Sequence, residues 1–114
     1  MQATRATTKH DLLPGTLDML VLKTLTLASM HGYGIAQHIQ RISKDVLHVE
    51  EGTLYPALQR MRQKGWIDAE WKQSPNNQRA RYYTITAAGR RHLGEEESSF
   101  AEQLRAIARV MRPA

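Results

Sequence analysis

The side chains equipped for chemistry in this 114-residue chain are five histidines, a run of three glutamates and an excess of arginine and lysine. His10, His31, His38, His48 and His92 offer imidazoles to a metal, but no two stand four apart and none belongs to an HExxH arrangement. His31 and His38 are separated by Gly32-Tyr33-Gly34, a helix break, so a shared ligand set is not expected; His31 reads as a loop residue beside Gly32. Glu95, Glu96 and Glu97 could supply carboxylates for acid–base work. Consecutive residues on a helix diverge, however, and a solvated face is the expectation. With no cysteine, thiolate catalysis, disulfides and thiolate zinc sites are excluded. No glycine-rich loop suited to cradle a phosphate is present, nor a nucleophile with its base. The chain is therefore not expected to be an enzyme, and no cofactor or metal is implied.

Cationic charge is what remains. Lys and Arg number 16 against 11 Asp and Glu, a formal net charge of +5. Arg60, Arg62, Lys64, Lys72, Arg79, Arg81, Arg90 and Arg91 fall between positions 60 and 91, opposed there only by Asp68 and Glu70. Such a distribution favours a polyanionic partner. Trp66, Trp71, Tyr82 and Tyr83 could stack the bases of a single strand. Strand alternation sends them to different faces, so packing against helices is the better account, with Trp66 the more exposed of the two tryptophans. No apolar run reaches the ~20 residues of a membrane span. The N-terminus, "MQATRATTKHDLLPG", lacks the apolar stretch of a secretory signal. A cytoplasmic location with no membrane partner is expected.

These residues need elements to position them. Residues 1–11 have no period and read as a flexible arm. Pro14-Gly15 is a turn, Thr16 a candidate N-cap, and Leu17, Leu20, Val21, Thr24, Leu25 and Ala28 recur at helical spacing. A second stripe, Met19, Leu22 and Leu27, implies burial by more than one neighbour, and one neighbour of so short a chain can be another subunit. Ile35, Ala36, Ile39 and Ile42 mark a second helix. Leu54, Ala57, Leu58 and Met61 mark a third, ending at Lys64-Gly65. The period then shifts to two in "WIDAEWK" and "ARYYTIT", joined by a turn-rich loop of roughly seven residues. Thr86 can cap a last helix. Its stripe of Leu93, Phe100, Leu104, Ile107 and Met111 has little left to pack on within one domain, an arrangement that commonly pairs with its own copy.

The third helix carries Gly and Pro near its start, in "EGTLYPAL". On a wheel advancing about 100° per residue, Leu54, Ala57, Leu58 and Met61 face the core. Gly52, Pro56, Gln59 and Gln63 lie opposite, flanked by Thr53, Tyr55 and Arg60. This outward face is free of charge at its centre and short of bulky groups near its N-terminal end. Gly52 admits a close backbone approach, and the helix N-terminus offers free N–H groups to phosphate. Thr53 and Tyr55 can donate to phosphate oxygens, and Gln59 can reach base edges. Pro56 conflicts with the carbonyl of the residue four back, which is Gly52. Either the turn relaxes around a side-chain-free glycine, or the helix starts late with Pro56 at its first position. Helix, turn, helix and then two strands is the winged helix-turn-helix order.

Four blocks, "LPGTLDMLVLKTL", "HGYGIAQHI", "VEEGTLYPALQRMRQKGWI" and "RARYYTITAAG", together resemble the PadR family of bacterial transcriptional regulators. The single C-terminal helix resembles its subgroup with a short C-terminal region. The resemblance implies a mainly α fold with a small β-hairpin: a winged helix-turn-helix DNA-binding domain over 12–86, then a C-terminal dimerisation helix over 87–114. It implies a homodimer held by the first and last helices, with Leu22, Leu93, Phe100, Leu104, Ile107 and Met111 at the interface, and a repressor acting on double-stranded DNA. Carried over by position, Thr53, Leu54, Tyr55, Pro56, Gln59 and Arg60 would meet a major groove, and Arg79 and Arg81 the backbone beside the wing. The wing tip, "SPNN", is less basic than a strong tip contact requires. Some members bind aromatic or drug-like effectors at the dimer interface, and Phe100 holds a stripe position suited to one. The alternative from another class is a winged helix used as a protein–protein interaction module, since the fold is not confined to nucleic acid.

Overall fold

The computed structural model describes residues 15–73 and 75–113; the expected arm at 1–11 lies outside them. Helix α1 spans Thr16–Leu25. Its cap is Gly15, in the left-handed region at φ 87°, whose carbonyl accepts from Met19 N at 3.0 Å. Thr16 is thus the first helical residue rather than the expected N-cap. Gly15 tolerates that backbone at no steric cost, and no side chain closes the turn.

Two residues, Met30–His31, form β1, and α2 follows at once over Gly32–Ile42. His31 is no free loop residue: its Nδ1 accepts from Gly34 N at 3.0 Å and caps α2. The link to α3 turns through Lys44 and Asp45, two successive residues at positive φ (55° and 66°). Gln40 Nε2 donates to Asp45 Oδ1 at 3.0 Å and Leu47 N to Ser43 Oγ at 2.9 Å, which holds this turn together.

Helix α3 runs Glu51–Gln63 with Pro56 inside it, so the helix starts at Glu51. Thr53 N and Leu54 N both donate to Glu50 O, so its first turn is formed ahead of the proline. A Cβ at Gly52 would have no neighbour within 4 Å, so no tertiary contact requires a glycine there. The helix stops at Gly65, φ 78°, the expected glycine after a basic last turn.

Strands β2 (Ile67–Gln73) and β3 (Arg79–Ile85) pair antiparallel, from Ile67 opposite Ile85 to Gln73 opposite Arg79. Because Gln73 and Arg79 are already paired, the loop is residues 74–78, shorter than the turn chemistry implied. β1 adds to the other edge of β3, Met30 opposite Tyr83 and His31 opposite Tyr82. The expected hairpin is therefore part of a three-stranded sheet, β1-β3-β2.

Helix α4, Ala87–Met111, begins at a dense joint. Thr86 Oγ1 accepts from Gly89 N at 3.0 Å and donates to Gly65 O at 2.6 Å, while Thr86 N donates to Trp66 O at 3.0 Å. One residue thus links the end of α3, the end of β3 and the start of α4. Leu22, Ile35, Leu54, Leu58, Met61 and Ile67 are the largest fully buried side chains of the core they share with Val21. Among the described residues no helix is long and apolar enough to cross a membrane.

Candidate nucleic-acid interface

The outward face of α3 is built by its period. Leu54, Ala57, Leu58 and Met61 point into the core, which leaves Gly52, Thr53, Tyr55, Pro56, Gln59 and Gln63 exposed. Leu54 is 1% exposed, so it leaves the set of expected DNA contacts. A run of four helical residues turns through about 300°, and Thr53 to Pro56 cannot all face one way.

Tyr55 is 42% exposed and leans over the backbone of Gly32 at the start of α2. A Cβ on Gly32 would stand 2.7 Å from the Tyr55 hydroxyl, so the glycine makes room for the ring. Burial, helped by Glu51 and then Tyr83, raises the Tyr55 pKa above its usual value. The phenol therefore keeps its proton and remains a hydrogen-bond donor at neutral pH.

Arg60 has a different first partner than expected. Its Nη2 lies 2.6 Å from Oδ1 of Asp18, a buried residue of α1. The guanidinium is half exposed, so its remaining donors still reach solvent. Its orientation, however, is set by an α1–α3 cross-link.

The wing supplies the cations. The face of the sheet that carries Ile67, Ala69, Tyr83 and Ile85 into the core continues outward as Trp71, Gln73, Arg79 and Arg81. Trp71 is 55% exposed. The expectation that Trp66 would be the more open is corrected: Trp66 stacks on His92 at 3.6 Å between ring centres, under Lys64 Nζ at 4.9 Å. Parity placed Trp71 on the inward face, but the sheet extends past the helices that cover its base. Between wing and helices lies a groove of about 820 Å³, whose lining includes Tyr33, Tyr55, Trp71, Arg79 and Arg81. With the start of α2 and Tyr55 of α3 on one side and two arginines of a strand on the other, the groove suits a polyanionic backbone.

The expected interface residues of the dimer divide. Leu22 and Leu93 are buried in the core of their own protomer and are removed from that set. Leu104, Ile107 and Met111 are half exposed or more, and Val110, absent from the expected stripe, is the most exposed of this group. Phe100 is half-buried, beside Met19, in a cleft of about 70 Å³. Tyr33, which sequence reasoning missed, is exposed on the rim of the wing groove. Its place in "HGYG", just inside the start of α2, was the available signal.

Helices α1 to α3 with a helix-turn-helix at α2–α3, a β-wing, and a long terminal helix define a winged helix-turn-helix regulator. The transcriptional regulator PadR-like family matches residues 21–95, and the chain belongs to that family. An uncharacterized protein of Lysinibacillus sphaericus is 30% identical over 94 residues, covering 82% of this chain and 86% of its own length. A PadR family transcription regulator from hypervirulent Clostridium difficile superposes with a TM-score of 0.75 at 27% identity, over 86% of this chain and all of that one. Another from Eggerthella lenta gives a TM-score of 0.76 at 27% identity, over 88% and 85%. A transcriptional regulator from Clostridium thermocellum shares the fold, with a TM-score of 0.80 at 23% identity, over 86% and 95%. Family and fold are those of transcription regulators, not enzymes.

Proposed function

We propose that the protein is a homodimeric repressor that binds duplex DNA at a pseudo-palindromic operator. The observation that carries this reading is the α3 face: Thr53, Tyr55, Pro56, Gln59 and Gln63 are all exposed, beside a groove rimmed by Arg79 and Arg81. Thr53, Tyr55 and the start of α3 meet phosphates, and Gln59 reads a base edge. Arg79 and Arg81 follow the backbone, with Arg60 near it while paired to Asp18. The exposed Leu104, Ile107 and Met111 of α4 meet the same residues of a second copy. Half-site centres then fall one helical turn apart, about 34–36 Å, or a multiple of it. An aromatic effector beside Phe100 needs walls from the second protomer. The cleft on one protomer, about 70 Å³, is less than half the ~150 Å³ cavity known to admit benzene.

A gel shift on DNA upstream of the protein's own gene, at two salt concentrations, tests the reading. A discrete complex that weakens steeply with salt is expected. Weak, sequence-blind retardation would instead identify a protein-binding module. Gln59→Ala is expected to relax preference at one base pair by about 1–3 kcal/mol while leaving nonspecific binding nearly unchanged. Equal losses on all sequences would place Gln59 on the backbone.

A further inference from the structure

The register of the hairpin puts one exposed indole among the wing cations. Trp71 stands directly across the ladder from Arg81, and Arg79 is its diagonal neighbour. Their guanidinium carbons lie 5.8 Å and 5.2 Å from the indole ring centre, within cation–π range. Among the described residues no carboxylate is within ion-pair distance of either arginine. Arg81 Nε is shielded from solvent and has no hydrogen-bond partner among the described residues, so that guanidinium can offer donors to a ligand only through its terminal nitrogens. Across the same groove, the Tyr33 hydroxyl accepts from Gln37 Nε2 at 3.0 Å, which leaves its own hydrogen free to donate.

We propose that Trp71 is the positioning residue of the wing: its indole holds the guanidiniums of Arg79 and Arg81 beside the groove, where they close on the phosphate backbone. This rests on the DNA-binding reading above. A free arginine gives up its rotamer freedom when it binds phosphate; one already stacked on a ring has lost much of it beforehand. The planar guanidinium is the cation suited to this, since it stacks through its face and keeps its edge donors for phosphate oxygens. Trp71 therefore acts through the arginines, and its removal lowers affinity without changing how many phosphates are neutralised.

The test uses the full chain and a duplex selected by the wild-type protein from a random-sequence pool, titrated across a salt series. Trp71→Leu keeps an apolar strand residue and is expected to bind roughly 5- to 30-fold more weakly per protomer, because two arginines then lose their rotamer freedom only on meeting phosphate. The slope of log K against log salt stays unchanged, whereas Arg79→Ala makes it shallower by about 0.9 per protomer. Trp71→Phe restores a ring face and recovers most of the affinity. In the free protein, the Nε–H resonances of Arg79 and Arg81 are expected to be displaced by ring current, to collapse to solvent-exposed positions in Trp71→Leu, and to return part way in Trp71→Phe. Wild-type affinity in Trp71→Leu, or a Trp71→Phe no better than Trp71→Leu, overturns the proposal. A wild-type protein that selects and binds no duplex overturns the DNA-binding reading itself and this proposal with it.

Discussion

Arg60 shows how a single side chain can serve the fold where position alone assigns it to a ligand. Its 2.6 Å contact with Asp18 joins α3 to α1 and provides the countercharge for a carboxylate that is only 8% exposed. Removing one member of such a pair costs more than the pair itself contributes, because the other is left buried and unpartnered. Arg60→Ala is expected to lower unfolding free energy by about 1–3 kcal/mol, read as a fall in urea midpoint with unchanged m-value. Asp18→Asn in the Arg60→Ala background should recover part of that loss. Equal stability of Arg60→Ala and wild type would show the pair to be ornamental. The wheel and the motif disagreed at residue 54: the wheel put Leu54 inward and the motif put it outward. Burial follows the wheel, because a helical residue's direction is set by 3.6-residue geometry whatever short pattern it belongs to. Trp71 was illegible for a related reason. Alternation reports which face a strand residue occupies, but not where the covering layer ends.

At the scale of elements, α2, α3, both long strands and α4 were legible because each carries several periods of apolar spacing and a chemical stop or start. The cap at Thr86 and the stop at Gly65 are both present. β1 was not legible, since two residues carry no period, and its pairing with β3 is a contact across more than 50 positions of chain. The α3 boundary was open in the sequence because two different accommodations of Pro56 satisfy the same local rule; packing of Leu54 against the core settles it. The seat of α4 gives a sharp test. A Cβ at Gly89 would collide with the backbone carbonyl of Trp66 and come within 2.9 Å of Ile85 Cγ1, whereas one at Gly94 meets nothing within 4 Å. Gly89→Ala is expected to destabilise by about 1–3 kcal/mol through overpacking against a rigid neighbour. Gly94→Ala, on the same helix, is expected to stabilise by about 0.5–1 kcal/mol. Thermal unfolding of the two variants measures both signs.

The whole molecule is less compact than its length requires. Its radius of gyration is 15.9 Å, against about 13 Å for a compact chain of this size. The end of α4 runs beyond Phe100 with Leu104, Ile107, Val110 and Met111 uncovered. An apolar stripe at heptad-like spacing on a helix outside its own core is expected to meet a copy of itself. Leu104→Glu with Ile107→Glu should convert a dimer to a monomer in sedimentation while leaving the melting of the winged domain nearly unchanged, because neither residue is in the core. Affinity for a two-half-site duplex should drop about a hundredfold or more as the second contact ceases to be intramolecular. A dimer that survives both substitutions would place the interface elsewhere.

The joint at Thr86 has a mechanical consequence. With its hydroxyl tied to Gly65 and to the first turn of α4, and with no space for a Cβ at Gly89, Thr86 braces the winged domain against the start of the terminal rod. A rod of 25 residues is about 37 Å long, so each degree of pivot displaces its far end by about 0.6 Å. In a dimer paired through these rods, as proposed, a few degrees of scissoring would displace the far ends by only about 2 Å, a small fraction of one roughly 34–36 Å turn of a double helix.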